Sequence, residues 1–179
     1  LSSRLDFYPD NAYGTASEGR SAEVKIDAFH DFDESRIVGE LIFRWDEKDS
    51  GRRITEARQA YFRSPFAGFD VFVGNRQEFW GKAESKNVVD VINQSDAAAN
   101  EGKSGKLGAP SISAERYLDI GDLQLWYISN FREKTFNDSD AHPSNGVPVS
   151  SVQYARKDGK NADDFAIRFS SFAGNWDLA

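Results

Sequence analysis

Apolar and polar residues alternate with a period of two along most of this chain. Ala22, Val24, Ile26 and Ala28 interleave with Glu23, Lys25 and Asp27, and Ile37, Gly39, Leu41, Phe43 and Trp45 interleave with Glu40, Arg44 and Asp46. Phe69, Val71 and Val73 alternate with Asp70, Phe72 and Gly74, and Phe165, Ile167 and Phe169 alternate with Asp164, Ala166, Arg168 and Ser170. Residues two apart share one face of a strand, so each run predicts a strand with one apolar and one polar face. The β-branched and aromatic content of the runs suits strands as well. The pattern predicts nine strands, at about 3–8, 21–32, 37–46, 53–63, 69–80, 111–118, 123–131, 149–156 and 164–173. The fourth is untidy, because strict alternation cannot turn both Gln59 and the pair Glu56 and Arg58 to the polar side.

The connections add a direction. Those at 33–36, 64–68, 119–122 and 157–163 are short and hold turn formers such as Ser64-Pro65, Gly121-Asp122 and Asp158-Gly159. Those at 9–20, 47–52, 81–110 and 132–148 are longer. A meander of antiparallel hairpins follows, with tight turns at one end and longer loops at the other. With the tight turns at the lower end, Phe32, Tyr61, Phe69 and Phe165 fall near the lower ends of apolar faces, and Trp45, Phe79 and Phe131 near the upper ends. Outer-membrane barrels have this loop asymmetry and bracket an aliphatic band with aromatic residues. Alternation alone leaves a soluble β-sandwich open, since its sheets also have one apolar face.

Composition narrows the classes. The chain has 179 residues, 22 Lys+Arg against 29 Asp+Glu and a net charge of -7, with no basic block, which argues against nucleic acid as a partner. It has no cysteine, so a disulfide framework, thiolate metal site and cysteine nucleophile are excluded. No apolar run reaches the length of a membrane-spanning helix, but transmembrane strands escape that test. The absence of methionine and of a signal pattern suggests a piece of a longer protein, although a mature, processed N-terminus would look the same.

At Val73-Gly74-Asn75-Arg76-Gln77-Glu78-Phe79-Trp80-Gly81-Lys82-Ala83-Glu84-Ser85, continued through Asn87-Val88-Val89-Asp90-Val91-Ile92-Asn93-Gln94-Ser95-Asp96, the chain resembles a group of large, mostly uncharacterised outer-membrane β-barrel proteins of Gram-negative bacteria. Later segments fit the same group: Lys106-Leu107-Gly108-Ala109-Pro110, Gly121-Asp122-Leu123-Gln124-Leu125, Phe131-Arg132-Glu133-Lys134-Thr135-Phe136, and Asp164 to Ser170 followed by Gly174-Asn175-Trp176-Asp177. Gln94 departs from looser relatives, which carry proline there. The resemblance implies an outer-membrane address and a channel-like role, without a defined substrate.

Taken together, the expected fold is all-β: an antiparallel up-and-down transmembrane β-barrel segment spanning 1–179, the N-terminal part of a larger barrel. Nine strands would leave the last one ending at the upper side, before the barrel can close. Glu23, Lys25, Asp27, Glu40, Arg44, Glu56, Arg58, Arg76, Glu78, Trp80 and Arg168 are the expected pore-lining residues. The 81–110 loop carries Val88, Val89, Val91 and Ile92, more apolar residues than an exposed loop needs. It is therefore expected to fold into the lumen, with Lys82, Glu84, Asp90, Asn93 and Asp96 as constriction candidates. Gly74 would make room there for a bulky neighbour such as Trp80 or for the folded-in loop.

No nucleophile elbow, zinc-protease or phosphate-loop pattern occurs, so the chain is read as no enzyme and as holding no metal or cofactor. Asp31-Phe32-Asp33 and Asn137-Asp138-Ser139-Asp140 read as polar turns rather than calcium loops. His30 falls on the apolar face near the lower rim with no serine beside it, which suits an interfacial ring better than a lipase. The expected partners are outer-membrane lipid and small polar solutes, with no oligomeric state implied. The leading function is porin-like passage. A structural or adhesive barrel acting through loops 81–110 and 132–148, and a soluble β-sandwich binding module, stand as alternatives.

Overall fold

The computed structural model describes residues 2–9, 20–47, 49–80, 91–99, 105–136, 152–173 and 176–178. Nine strands form one antiparallel sheet in sequence order: β1 (Ser2–Pro9), β2 (Arg20–Phe32), β3 (Ser35–Asp46), β4 (Ile54–Phe66), β5 (Phe69–Arg76), β6 (Ala109–Leu118), β7 (Gly121–Ile128), β8 (Asp164–Ala173) and β9 (Trp176–Leu178). The sheet is an open up-and-down meander, with β1 and β9 as its edges.

The lower connections at 33–34, 67–68 and 119–120 each hold two residues. Ala67 and Gly68 both have positive φ, 53° and 79°, a pair whose twist matches that of the flanking strands. The upper connection between β3 and β4 carries a single 3-10 turn (Ser50–Arg52). Those from β5 to β6 and from β7 to β8 are much longer, spanning 77–108 and 129–163.

Two expected strands change. The expected strand at 149–156 does not form: its described part, 152–156, is loop, and 164–173 pairs directly with β7 instead. The physical reason is that β8 already occupies that edge of β7 as far up as the Ile128–Asp164 pair. Val152 and Tyr154 are left among the loops, where Tyr154 packs edge-on against Phe131 with ring centroids 6.2 Å apart. As a result 164–173 runs downward, not upward, and Phe165 sits at the upper end of its strand rather than the lower. The strand expected to reach residue 80 stops at Arg76. The Asn93 side chain ends it, accepting from the Glu78 N–H at 2.6 Å and donating to the Arg76 carbonyl at 2.9 Å. A continuing ladder would have used those two groups.

The untidiness of the fourth strand is resolved by a bulge. Glu40 pairs with Gln59 and Leu41 with Ala57, which leaves Arg58 as the extra residue. Before the bulge Glu56 and Arg58 share the polar face, and after it Gln59 and Tyr61 share the same face. One extra residue exchanges the faces of everything beyond it. Tyr61 therefore lies on the polar face, edge-on to Phe72 with centroids 5.9 Å apart, and not on the apolar face as expected.

Burial follows the two faces in the opposite sense to that of a soluble domain. On the polar face Glu23, Arg44, Asp46, Arg58, Ser113 and Glu115 are all less than a tenth exposed. On the apolar face Ile37 is 50 % exposed, Trp45 52 %, Ile112 50 % and Ile167 73 %. Among the described residues the strands form a single sheet, and no second sheet covers this apolar surface.

Candidate functional site

The polar face is covered at its upper end by the described parts of the β5–β6 connection, which meet the β7–β8 connection there. Within the first, 93–96 and 105–107 lie side by side: Leu107 N–H donates to the Gln94 carbonyl at 2.8 Å and Asp96 N–H to the Gly105 carbonyl at 2.5 Å. Asn93 also donates to the Leu107 carbonyl at 3.1 Å, joining both arms to the end of β5. Ile92 packs with Trp80, Ala109, Trp126 and Ile128 in one buried apolar cluster. Val91, in contrast, is 63 % exposed, so only one of the two residues turns inward.

The bulge supplies a docking point for this cover. The Arg58 carbonyl accepts from Gly108 N–H at 3.0 Å, and a Cβ at Gly108 would lie 2.1 Å from that oxygen. Only glycine lets the two backbones approach this closely. Gly74 has a similar reason, though not the expected one. It has φ +128°, and a Cβ there would lie 2.2 Å from the Ala60 carbonyl oxygen, so it makes room for the backbone of β4 and not for Trp80.

Two ionic clusters sit beneath the cover. In the first, Arg44 donates from Nε to Glu23 at 2.6 Å, from Nη2 to Asp96 at 2.7 Å and from Nη1 to the Arg52 carbonyl at 3.3 Å. Lys25 Nζ lies 3.2 Å from Glu23, and Arg58 lies 3.7 Å from Asp96 and 4.0 Å from Glu40. Gln59 donates to Glu40 at 3.0 Å. Thr135, from the β7–β8 connection, donates to Asp96 at 2.6 Å. Asp46 and Asp49 hold the adjoining turn, with Asp49 N–H donating to Asp46 at 2.8 Å and Gly51 N–H to Asp49 at 2.9 Å.

The second cluster centres on Arg76. Its guanidinium donates to Glu115, to Glu78 at 2.8 Å and to Ser113 at 3.0 Å, and it lies over the Phe72 ring at 3.8 Å. Trp80 Nε1 donates to Gln124 at 2.6 Å, and Gln124 donates to Glu115 at 3.2 Å. Burial pushes the Glu78 carboxyl above its ordinary range; Glu115 adds to the shift and Arg76 opposes it. Arg132 ties the covering loops to β4, pairing with Glu56 and donating to the Gly108 carbonyl at 2.8 Å.

The expected pore-lining residues thus gather on one face: Glu23, Lys25, Asp27, Glu40, Arg44, Glu56, Arg58, Arg76 and Arg168 by strand register, with Glu78 and Trp80 just above β5. Across the sheet, Asp27 faces Glu40 and Arg168 faces Gln124. Of the constriction candidates, Asn93 and Asp96 are buried in the site, while Lys82, Glu84 and Asp90 lie outside the described residues. Ser113, Glu115, Gln124, Trp126, Lys106 and Thr135 were not foreseen. Ser111, Ser113 and Glu115 alternate with Ile112 and Ala114, so period two could have flagged Glu115. Nothing local distinguishes Thr135.

His30 stacks on Phe32 on the apolar face, with centroids 5.9 Å apart. Among the described residues, no group of three or more His, Asp or Glu is placed to hold a metal ion. No helix in the described residues is long and apolar enough to cross a membrane, which does not bear on strands. No protein-family model, no curated protein and no solved structure matches this chain.

Proposed function

We propose that this chain forms wall strands of a Gram-negative outer-membrane β-barrel of porin-like kind, whose polar face lines a passage for small polar solutes. One observation carries the reading: the upper part of the charged face is buried and the apolar face is bare. In water a continuous sheet of half-exposed Phe, Ile, Leu, Val and Trp is a large unfavourable surface, far beyond the patches that soluble monomers tolerate. Against lipid tails the same surface is at home. Two-residue turns at one end and long connections at the other fit the same setting. The resemblance around Phe79-Trp80-Gly81 implies the same address.

A second reading, a structural barrel that passes little or nothing, is favoured by the cover and by the dense pairing of charges beneath it. Reconstitution into planar bilayers separates the two. A passage for small polar solutes predicts discrete conductance steps. A chain that inserts into vesicles and stays silent supports the structural reading instead. A chain that stays dispersed in detergent-free buffer contradicts both.

A further inference from the structure

Asp96 is a loop carboxylate in a position that strand residues have built. Arg44 donates to its Oδ2 at 2.7 Å, Arg58 lies 3.7 Å from the same oxygen and Thr135 donates to its Oδ1 at 2.6 Å. The side chains of Arg44, Arg58 and Asp96 are 2 %, 2 % and 1 % exposed. The arginines are held without Asp96. Arg44 is anchored by Glu23 and the Arg52 carbonyl, and Arg58 sits in the bulge facing Glu40.

We propose that Arg44, Arg58 and Thr135 form a carboxylate seat that Asp96 fills from within the chain, and that a free carboxylate competing for the seat releases the covering segment. Two arginines and a hydroxyl suit any carboxylate, because charge-assisted hydrogen bonds depend on the acceptor group and not on the chain that brings it. Asp96 prevails in the closed form because a tethered ligand has an effective concentration in about the millimolar range or above. A competing solute must exceed that range. The seat and its cover rest on the geometry above. That release opens a passage rests in addition on the barrel reading.

Trypsin cleavage after Lys106 reads the cover directly. Lys106 is buried, bridges to Ser95 and donates to the Glu78 carbonyl at 2.6 Å, so cleavage there requires the segment to lift. In the vesicle-inserted chain, D96G is expected to raise the cleavage rate after Lys106 by about tenfold or more. Sodium acetate at about 50 mM should hasten cleavage of the unaltered chain by displacing Asp96, and should leave D96G, which has no carboxylate to displace, at its already raised rate. Sodium chloride at equal ionic strength should change neither rate.

Acetate acceleration in the unaltered chain and none in D96G supports the seat. An acetate effect on the unaltered chain equal to that of chloride, or a D96G rate no faster than that of the unaltered chain, overturns it. If D96G fails to fold, acetate on the unaltered chain decides, and no acceleration there overturns the proposal. Conductance keeps the two readings apart. Acetate-released cleavage without any current leaves the seat standing and removes the passage.

Discussion

Glu78 shows how a single side chain feels the cover. Its carboxyl lies just beyond β5 between Arg76 and the Phe79 N–H, and burial raises its pKa above the ordinary 4.5. A raised folded-state pKa means that the folded chain binds the proton more tightly than the unfolded chain does. The native chain should therefore gain stability relative to E78Q as pH falls through the raised value. The gain should be complete below 4.5 and lost again as pH rises. Urea midpoints of both chains between about pH 7 and about pH 4 check this. A difference between them that does not change with pH contradicts the burial of Glu78.

The same scale shows what the sequence makes legible and what it hides. Glu23, Lys25, Arg44 and Arg76 could be assigned to the polar face from alternation alone, because period two is a local property. Which oxygen each guanidinium meets could not. Asp96 is 52 positions from Arg44, and Thr135 is 39 from Asp96, so only the folded loops bring them together. Trp126 and Gln124 lie on a strand that was foreseen, but their burial depends on Trp80 and Ile92 arriving from outside the ladder.

Among the elements, the bulge of β4 has the widest consequences. It is visible in sequence only as an inconsistency among Glu56, Arg58 and Gln59, and a strict two-residue period has no means of resolving it. Once Arg58 is extra, Tyr61 changes face and the freed Arg58 carbonyl receives the Gly108 N–H at 3.0 Å. G108A should push the cover off this point, since its Cβ would meet that carbonyl at 2.1 Å. An overpacking cost of about 1–3 kcal/mol is expected, borne by the cover and not the sheet. Hydrogen exchange should show faster exchange at Leu107 and Asp96 with β2 to β4 unchanged. Equal exchange throughout would mean that the bulge does not anchor the cover. The expected strand at 149–156 failed for another reason: composition cannot tell which segment wins an edge, and Asp164 to Ser170 holds the edge of β7.

At the scale of the whole molecule, the sheet inverts the usual arrangement. Its upper charges pair out of solvent, and large apolar side chains stand bare on the opposite face. The order of strands and the tight lower turns were legible, because hairpin meanders follow sequence order. The inversion itself was only implied, since an alternating strand has no label saying which face meets which solvent. Neighbouring positions on β3 put the question directly. The chain has no cysteine, so single nitroxide labels can be placed at Glu40→Cys, Leu41→Cys and Phe43→Cys without other changes. With the chain in lipid vesicles, labels at 41 and 43 should collide with dissolved oxygen and be shielded from an aqueous nickel chelate, while the label at 40 should lack that lipid signature. Nickel access at 41 and 43 equal to that of a label in water would contradict the membrane-facing sheet.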